Sequence, residues 1–163
     1  MGPQLNAALA GECDDAVAAL TWLRAQAVID AERVAMIGSS YGGVMVMLAA
    51  GRRAPFRAGI SFAGPSITWP DAPAMQTVLL EAIGACEVPL MLIQAGDDFH
   101  LTPTYVLGGE LARLGKPHET RIYQAIGEHR GDGHGVFNKA VWLWRADVER
   151  FLKRWIAEPK VAI

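Results

Sequence analysis

Hydrophobic residues along the chain alternate between short continuous runs and longer segments with helical spacing. Four short runs have the composition of β-strands and lie at 34–37, 57–64, 88–96 and 118–126. The third run, VPLMLIQAG, is almost entirely apolar, which is typical of a strand covered on both faces of a parallel sheet. The fourth run alternates more and predicts a more exposed strand. Together they predict a sheet of about four strands.

Segments with helical character precede, separate and follow these strands. The predicted helices lie at 12–27, 41–51, 73–84 and 103–115, and from 137 to about 157. Helices between strands act as crossover connections, which make the strands parallel. The order therefore predicts an α/β fold, a three-layer α/β/α sandwich with a mainly parallel sheet. Residues 1–163 are expected to form a single domain, because a chain of this length can bury its own core.

Composition narrows the classes of function. Charged residues make up 20% of the chain and the net charge is −2, without the clustered basic face that binds nucleic acid. No apolar run is long enough to predict a membrane span. Residues 1–10 lack the basic start and apolar block of a signal peptide, so a cytoplasmic location is expected. Cys13 and Cys86 lie far apart and are expected to be separate buried thiols.

The sequence GSSYGG connects the first predicted strand to the next helix. Gly38, Ser40 and Gly42 form a Gly-x-Ser-x-Gly pattern, and the strand before and helix after are the setting of a nucleophile elbow. Such a turn strains the backbone at Ser40, and small residues at 38, 42 and 43 prevent clashes. Free N–H groups at the helix start suit a developing negative charge. Ser39 is the alternative hydroxyl, and a tight turn without chemistry is the simpler interpretation of the motif.

A serine nucleophile needs a base and an acid, and the chain has both in the order Ser, Asp, His. Asp97 and Asp98 follow the third predicted strand, and His134 lies in a glycine-rich loop after the fourth. The carboxyl ends of parallel strands share one edge of the sheet, so these residues are expected to lie near Ser40. Each of them alone also suits a solvated loop, and His129 is an alternative base.

The segments GSSYGG, QAGDDFHLTP and GDGHGVF resemble the α/β-hydrolases, in particular their dienelactone hydrolase-like branch. The resemblance covers residues 12–157. It favours Asp98 over Asp97 as the acid, and His134 matches the histidine of a Gly-His-Gly stretch in that branch. The strand-end pattern of the branch is matched by Gln94, Ala95, Asp98, Phe99 and Pro103.

Two departures from that branch affect the expected chemistry. Members of the dienelactone type often carry Cys as the nucleophile, whereas Ser40 favours carboxylic ester hydrolysis. The usual fold has several strands before the elbow, so the resemblance implies a truncated, minimal α/β-hydrolase fold. The loop that supplies the second oxyanion N–H would be missing, and the Tyr41 N–H would be the remaining donor. The strand at 34–37 would become a sheet edge, which we expect a second copy of the chain to cover in a homodimer.

The combined expectation is a serine carboxylesterase that cleaves small short-acyl esters through Ser40, His134 and Asp98 and an acyl-enzyme. No metal is expected, because the histidines fit no closed zinc pattern. No cofactor, nucleic acid or membrane is expected as a partner either. Tyr41 and Phe99 are candidates for the pocket wall, and Trp69 suits either the pocket or a cap on the core. The alternatives are a thioesterase, lactonase or peptidase, and a non-catalytic half-domain that serves as a dimerisation or binding module.

Overall fold

A computed structural model describes residues 2–157, with side chains from residue 8 onward. Its sheet is parallel throughout, with the strand order β1-β2-β3-β4. Ser39 aligns with Phe62, and Phe62 aligns with Ile93, so the carboxyl ends of the strands lie at one edge. This confirms the predicted sheet of four strands. The strands are β1 (Ala35–Ser39), β2 (Ala58–Phe62), β3 (Leu90–Ala95) and β4 (His118–Tyr123).

Helices precede, connect and follow the strands in the predicted order. Short 3-10 turns at Trp69–Asp71 and Asp132–Gly135 occur in the loops after β2 and β4, and a π-helical turn, Lys153–Ala157, follows the last α-helix. The α-helices are α1 (Gly2–Arg24), α2 (Tyr41–Gly51), α3 (Pro73–Ala85), α4 (Thr102–Arg113), α5 (Val136–Lys139) and α6 (Val141–Leu152).

Both faces of the sheet are covered by helices. On one face, α1 to α4 pack around a core that includes Leu90 and Leu92 of β3. On the other face, Met91 and Ile93 of the same strand pack with Phe151 of α6. Alternate residues of β3 thus enter two different cores, which explains why nearly all of them are apolar. The three-layer α/β/α prediction is confirmed.

The first helix begins earlier than its pattern predicts. The apolar spacing indicates a helix over 12–27, whereas α1 spans Gly2–Arg24. Leu9 and Cys13 of this helix are fully buried in the core. Gly11 between them weakens the local helical preference, and packing of the buried stripe overrides that preference.

The final helix divides where the sequence predicts a single one. At Ala140 the backbone leaves the helical region, with φ −135° and ψ 43°, and this separates α5 from α6. The break lets Phe137 and Trp144 pack edge-on against Phe62, with ring centroids 5.0 and 4.9 Å away. The indole N–H of Trp144 also donates to the Val136 carbonyl across the break, at 3.0 Å. Aromatic packing on the sheet therefore decides this break.

Two further features of the described chain concern the thiols and the helices. Cys13 and Cys86 are separate and buried, and burial raises the pKa of both thiols.

Within residues 2–157, none of the helices has the length and apolar character needed to cross a membrane.

Candidate active site

Ser40 lies on a strained turn between β1 and α2. Its backbone has φ 55° and ψ −119°, a region that non-glycine residues rarely adopt. The Ser40 N–H donates to the Phe62 carbonyl of β2 at 2.8 Å. Its carbonyl accepts from the N–H groups of Gly43 and Val44, which form the first turn of α2. Strand pairing on one side and the helix on the other therefore hold the strained residue in place.

Two of the three glycines around Ser40 are required by close packing. A Cβ at Gly38 would lie 2.1 Å from the Gly42 carbonyl oxygen. A Cβ at Gly43 would lie 2.5 Å from Ser61 Oγ. A Cβ at Gly42 would meet nothing within 4 Å, so the prediction that this residue prevents a backbone clash is wrong.

The structure brings Ser40, His134 and Asp98 together in one hydrogen-bonded chain. His134 Nε2 lies 2.8 Å from Ser40 Oγ, and His134 Nδ1 lies 3.0 Å from Asp98 Oδ1. The Asp98 side chain is fully buried, whereas the His134 side chain is 20% exposed. A proton on Nδ1 satisfies the carboxylate and leaves Nε2 free to accept the Ser40 hydroxyl proton.

Asp97 holds the loop that carries His134. Its carboxylate accepts from the N–H of Ile126 at 3.1 Å and from the N–H of Gly127 at 2.8 Å. A Cβ at Gly133 would lie 2.5 Å from Asp97 Oδ1, so this glycine allows close packing of the loop. We call residues 126–135 the histidine loop. Of the two adjacent carboxylates, Asp98 contacts His134 and Asp97 contacts the backbone of the histidine loop.

The alternative base, His129, points elsewhere. Its side chain is 85% exposed, and its Nδ1 lies 3.7 Å from the Asp132 carboxylate. The Asp132 carboxylate also accepts from the backbone N–H of His129, and this bond is the main reason why the pKa of Asp132 lies below its usual range. Within residues 2–157, no three His, Cys, Asp or Glu side chains are grouped to hold a metal ion.

The three candidates for the pocket wall lie in different environments. The Phe99 ring packs edge-on to the His134 ring, with centroids 5.5 Å apart, and Phe99 is 37% exposed. Tyr41 is 40% exposed, and burial, together with the Glu12 carboxylate beside it, raises the pKa of its phenol. Trp69 is buried in the core with α2 and α3, so little of its surface is available to a substrate.

Sequence reasoning missed three side chains that contact this cluster. Ser66 and Gln94 both donate to the Asp98 carboxylate. Gln94 belongs to the QAGDD motif, but that motif does not indicate its hydrogen bond to Asp98. Ser66 lies in a loop without a recognisable motif. Arg130 donates to the Phe99 carbonyl at 2.8 and 3.0 Å, and so ties the histidine loop to the chain just after Asp98.

Comparison with protein-family patterns gives a match to part of the chain. The sequence pattern of the Prolyl oligopeptidase family matches residues 8–70, which is less than half of the chain. The matched segment includes Ser40 and ends before Asp98 and His134. No curated protein sequence matches the chain significantly.

Solved structures share the fold at low sequence identity. An esterase from Pyrococcus furiosus superposes with a TM-score of 0.71 and 18% identity, and the match covers 89% of this chain and 62% of the esterase. The acylaminoacyl peptidase from Pyrococcus horikoshii gives 0.66 and 24%, with 88% and 27% covered. Dipeptidyl peptidase 4 from Porphyromonas gingivalis gives 0.69 and 22%, with 88% and 22% covered.

The parallel sheet, the strained elbow and these similarities define the class of fold. The chain shares the fold of hydrolases that include peptidases and an esterase, and its segment 8–70 matches the pattern of the Prolyl oligopeptidase family. It spans between about a fifth and three-fifths of the length of the three structures named above. Membership of the dienelactone hydrolase-like branch stays a prediction.

Proposed function

We propose that the chain carries a serine hydrolase site that cleaves small, short-acyl carboxylic esters. The observation that supports this proposal is the hydrogen-bonded chain from Ser40 through His134 to Asp98, built on a strained elbow. A surface turn has no need of all three groups in this arrangement. The same arrangement weighs against a non-catalytic half-domain.

In the proposed reaction, Ser40 Oγ forms a bond to the ester carbonyl carbon, and its proton passes to His134 Nε2. The carbonyl oxygen becomes an oxyanion. When the carbon–oxygen bond to the alcohol breaks, Nε2 returns the proton to the leaving oxygen and an acyl-enzyme remains. A water molecule then attacks the acyl carbon and gives its proton to Nε2. The bond between the acyl carbon and Ser40 Oγ then breaks, Nε2 returns its proton to Oγ, and the carboxylic acid leaves. Asp98 stabilises the imidazolium at each stage.

The oxyanion is expected to bind at the start of α2. The N–H of Tyr41 precedes the first intrahelical donor, Gly43, so it has no acceptor within the helix. It also lies at the positive end of the helix dipole. Sites of this kind usually have two donors, and removing one typically slows the reaction by about 100- to 1000-fold. Esters tolerate that loss better than amides, because an alcohol leaves more easily than an amine.

Hydrolysis of p-nitrophenyl esters tests this proposal. We expect wild-type protein to turn over the acetate and to lose activity as the acyl chain lengthens, while Ser40→Ala falls to background. Ser39→Ala and His129→Ala are the matched controls, since they alter the alternative hydroxyl and the alternative base, and both should stay active. A fluorophosphonate probe should label wild type at Ser40. Absence of both labelling and turnover would overturn the esterase and favour the binding module.

Peptide hydrolysis is the second candidate, because the matched family and two of the named structures are peptidases. The single identified oxyanion donor weighs against it. Rates on N-acetyl amino acid p-nitroanilides, measured beside the corresponding esters, separate the two. Faster cleavage of the anilide than of the ester would replace the esterase proposal with a peptidase.

We also propose that a second copy of the chain covers the open edge of β1. Within residues 2–157, β1 pairs with β2 alone. Backbone bonds from Arg57 to Val34 and from Ser40 to Phe62 join the two strands, so the residues at 35, 37 and 39 direct their backbone groups away from β2. In the described part of the chain, the sheet contains no strand on that side of β1 to pair with these groups. The large apolar Ile37 is 45% exposed.

The opposite edge of the sheet is protected in a way that β1 is not. β4 carries Glu119 and Arg121, which pair with each other at 2.7 Å, and charged residues on an edge strand discourage pairing. Light scattering at micromolar concentration should therefore give the mass of a dimer. Ile37→Lys should give a monomer, and Val28→Lys, which replaces a valine that is 91% exposed, should not. A monomeric wild type would overturn the dimer.

A further inference from the structure

The Asp98 carboxylate accepts hydrogen bonds from other donors besides His134. Its side chain is fully buried, and it accepts from His134 Nδ1 and from the Phe99 N–H. Two further donors are side chains: Ser66 Oγ lies 2.6 Å from Oδ1, and Gln94 Nε2 lies 2.8 Å from Oδ2. We call Ser66 and Gln94 the carboxylate clamp. A buried charge needs such partners, because it has lost its water.

The carboxylate clamp restrains the rotation of the carboxylate. Ser66 comes from the loop after β2 and donates to one oxygen, whereas Gln94 comes from β3 and donates to the other. A carboxylate with donors fixed at both oxygens cannot turn about its Cβ–Cγ bond without breaking one of them. Oδ1 is thereby held toward His134 Nδ1, and the imidazole keeps its Nε2 toward Ser40.

The same two side chains also hold the chain beyond Asp98. Gln94 Nε2 donates to the His100 carbonyl at 3.0 Å, and the His100 N–H donates to Ser66 Oγ at 3.4 Å. Both residues are fully buried. Asp98 and the two residues after it are therefore held both from β3 and from the loop that follows β2.

The side-chain amide of Gln94 includes an unpaired buried oxygen, and packing alone does not explain why an amide occupies this position. Its Oε1 is buried and has no hydrogen-bond partner among the protein atoms of residues 8–157, and an unpaired buried oxygen destabilises a folded state. An apolar side chain of similar size would avoid this cost. The two hydrogen bonds donated by Nε2 offset the destabilising effect of the unpaired oxygen.

We propose that Ser66 and Gln94 are positioning residues for the serine hydrolase reaction, which act through Asp98 and His134 without touching the substrate. This inference rests on the function proposed above. Its distinguishing consequence is that loss of either side chain lowers kcat and leaves KM nearly unchanged, because the substrate contacts are intact.

The experiment compares Ser66→Ala and Gln94→Met with the wild type in ester hydrolysis and in proton NMR. We expect kcat to fall about 10- to 100-fold for each variant, the effect of losing one hydrogen bond to a charged group, with KM within about twofold. The downfield resonance of the His134 Nδ1 proton should shift or broaden in both variants. Thr120→Val is the matched control, since it removes a second buried polar atom that has no partner among the described residues, and it should change neither readout.

The two readouts separate failure of this inference from failure of the proposed function. If the wild type hydrolyses esters and both variants melt near the wild-type temperature with unchanged kcat and resonance, the carboxylate clamp has no positioning effect. If the wild type is inactive, the proposed function fails, and the resonance alone decides whether Ser66 and Gln94 orient the Asp98–His134 pair. Gln94→Met also removes the unpaired oxygen, so it is the second variant on which the inference is tested if Ser66→Ala is unstable.

Discussion

The adjacent carboxylates of Asp97 and Asp98 bind the histidine loop at two separate places. Asp98 Oδ1 lies 3.0 Å from His134 Nδ1, and Asp97 accepts from the backbone N–H groups of Ile126 and Gly127. Successive side chains after the end of β3 point in different directions, so one contacts the imidazole and the other the start of the loop. Two residues with the same chemistry thus have different consequences for catalysis.

Substitution by asparagine should separate these two carboxylates. Asp98→Asn presents an amide to Nδ1 and favours the tautomer with the proton on Nε2, so we expect kcat to fall roughly 1000- to 10,000-fold. Asp97→Asn loses one backbone acceptor and should lower kcat by at most about tenfold, together with the melting temperature. Ester hydrolysis and thermal melts on both variants measure this. Equal losses of kcat would contradict the assignment of Asp98 as the acid.

Backbone strain at Ser40 predicts different melting temperatures for two inactivating substitutions. Ser40→Gly and Ser40→Ala both remove the hydroxyl, but only glycine adopts φ 55° without strain. The strain costs about 1–3 kcal/mol, and the greater freedom of unfolded glycine offsets about 0.5–1 kcal/mol of the gain. We therefore expect Ser40→Gly to melt a few degrees above Ser40→Ala. Identical melting temperatures would show that the turn stores no strain.

The elbow glycines should differ sharply in their tolerance of alanine. Gly38→Ala places a methyl 2.1 Å from the Gly42 carbonyl oxygen, and neither backbone can move aside easily. We expect a loss of about 3 kcal/mol or more in the free energy of unfolding. Gly42→Ala meets nothing within 4 Å and lies in the first turn of α2, so it should unfold at or above the wild-type denaturant concentration. Equal tolerance at both positions would contradict the packing described here.

Tyr123 predicts a change in stability at alkaline pH. Burial, and then its hydrogen bond to Asp147, hold the pKa of Tyr123 well above its usual range. Below about pH 10 the phenol is protonated in both states, so its contribution to stability is fully present. Above about pH 10 the unfolded chain loses this proton while the folded chain keeps it, so stability falls as pH rises.

Urea unfolding between pH 9 and 11 tests this prediction. Tyr123→Phe has no phenol to titrate, so its stability should fall less steeply with pH than that of the wild type. Tyr105→Phe removes a tyrosine that is 62% exposed and is the matched control, which should follow the wild-type slope. Parallel slopes for wild type and Tyr123→Phe would rule out the linkage.

Much of the fold follows from local sequence patterns. Three of the strands are short apolar runs and the fourth alternates polar and apolar residues. A helix separates every two strands, so parallel pairing in chain order is the arrangement expected. The same reasoning places GSSYGG, Asp98 and His134 at one edge of the sheet, because each follows the carboxyl end of a strand. Local pattern did not predict the start of α1 or the break at Ala140. Both depend on which side chains the sheet leaves room to bury.

By itself, the sequence determined the order of the elements, the parallel sheet and the residue types that meet at its edge. The family resemblance favours Asp98 as the acid, but local pattern cannot separate two adjacent residues that are chemically alike. The tertiary structure decided that Asp98 contacts His134 and that Asp97 holds the histidine loop. It also decided that Ser66 and Gln94 support Asp98. The physical reason is distance along the chain. The Ser66–Asp98 and Ser40–His134 contacts join residues 32 and 94 positions apart, and side-chain directions at such separations are set by packing, which no local pattern records.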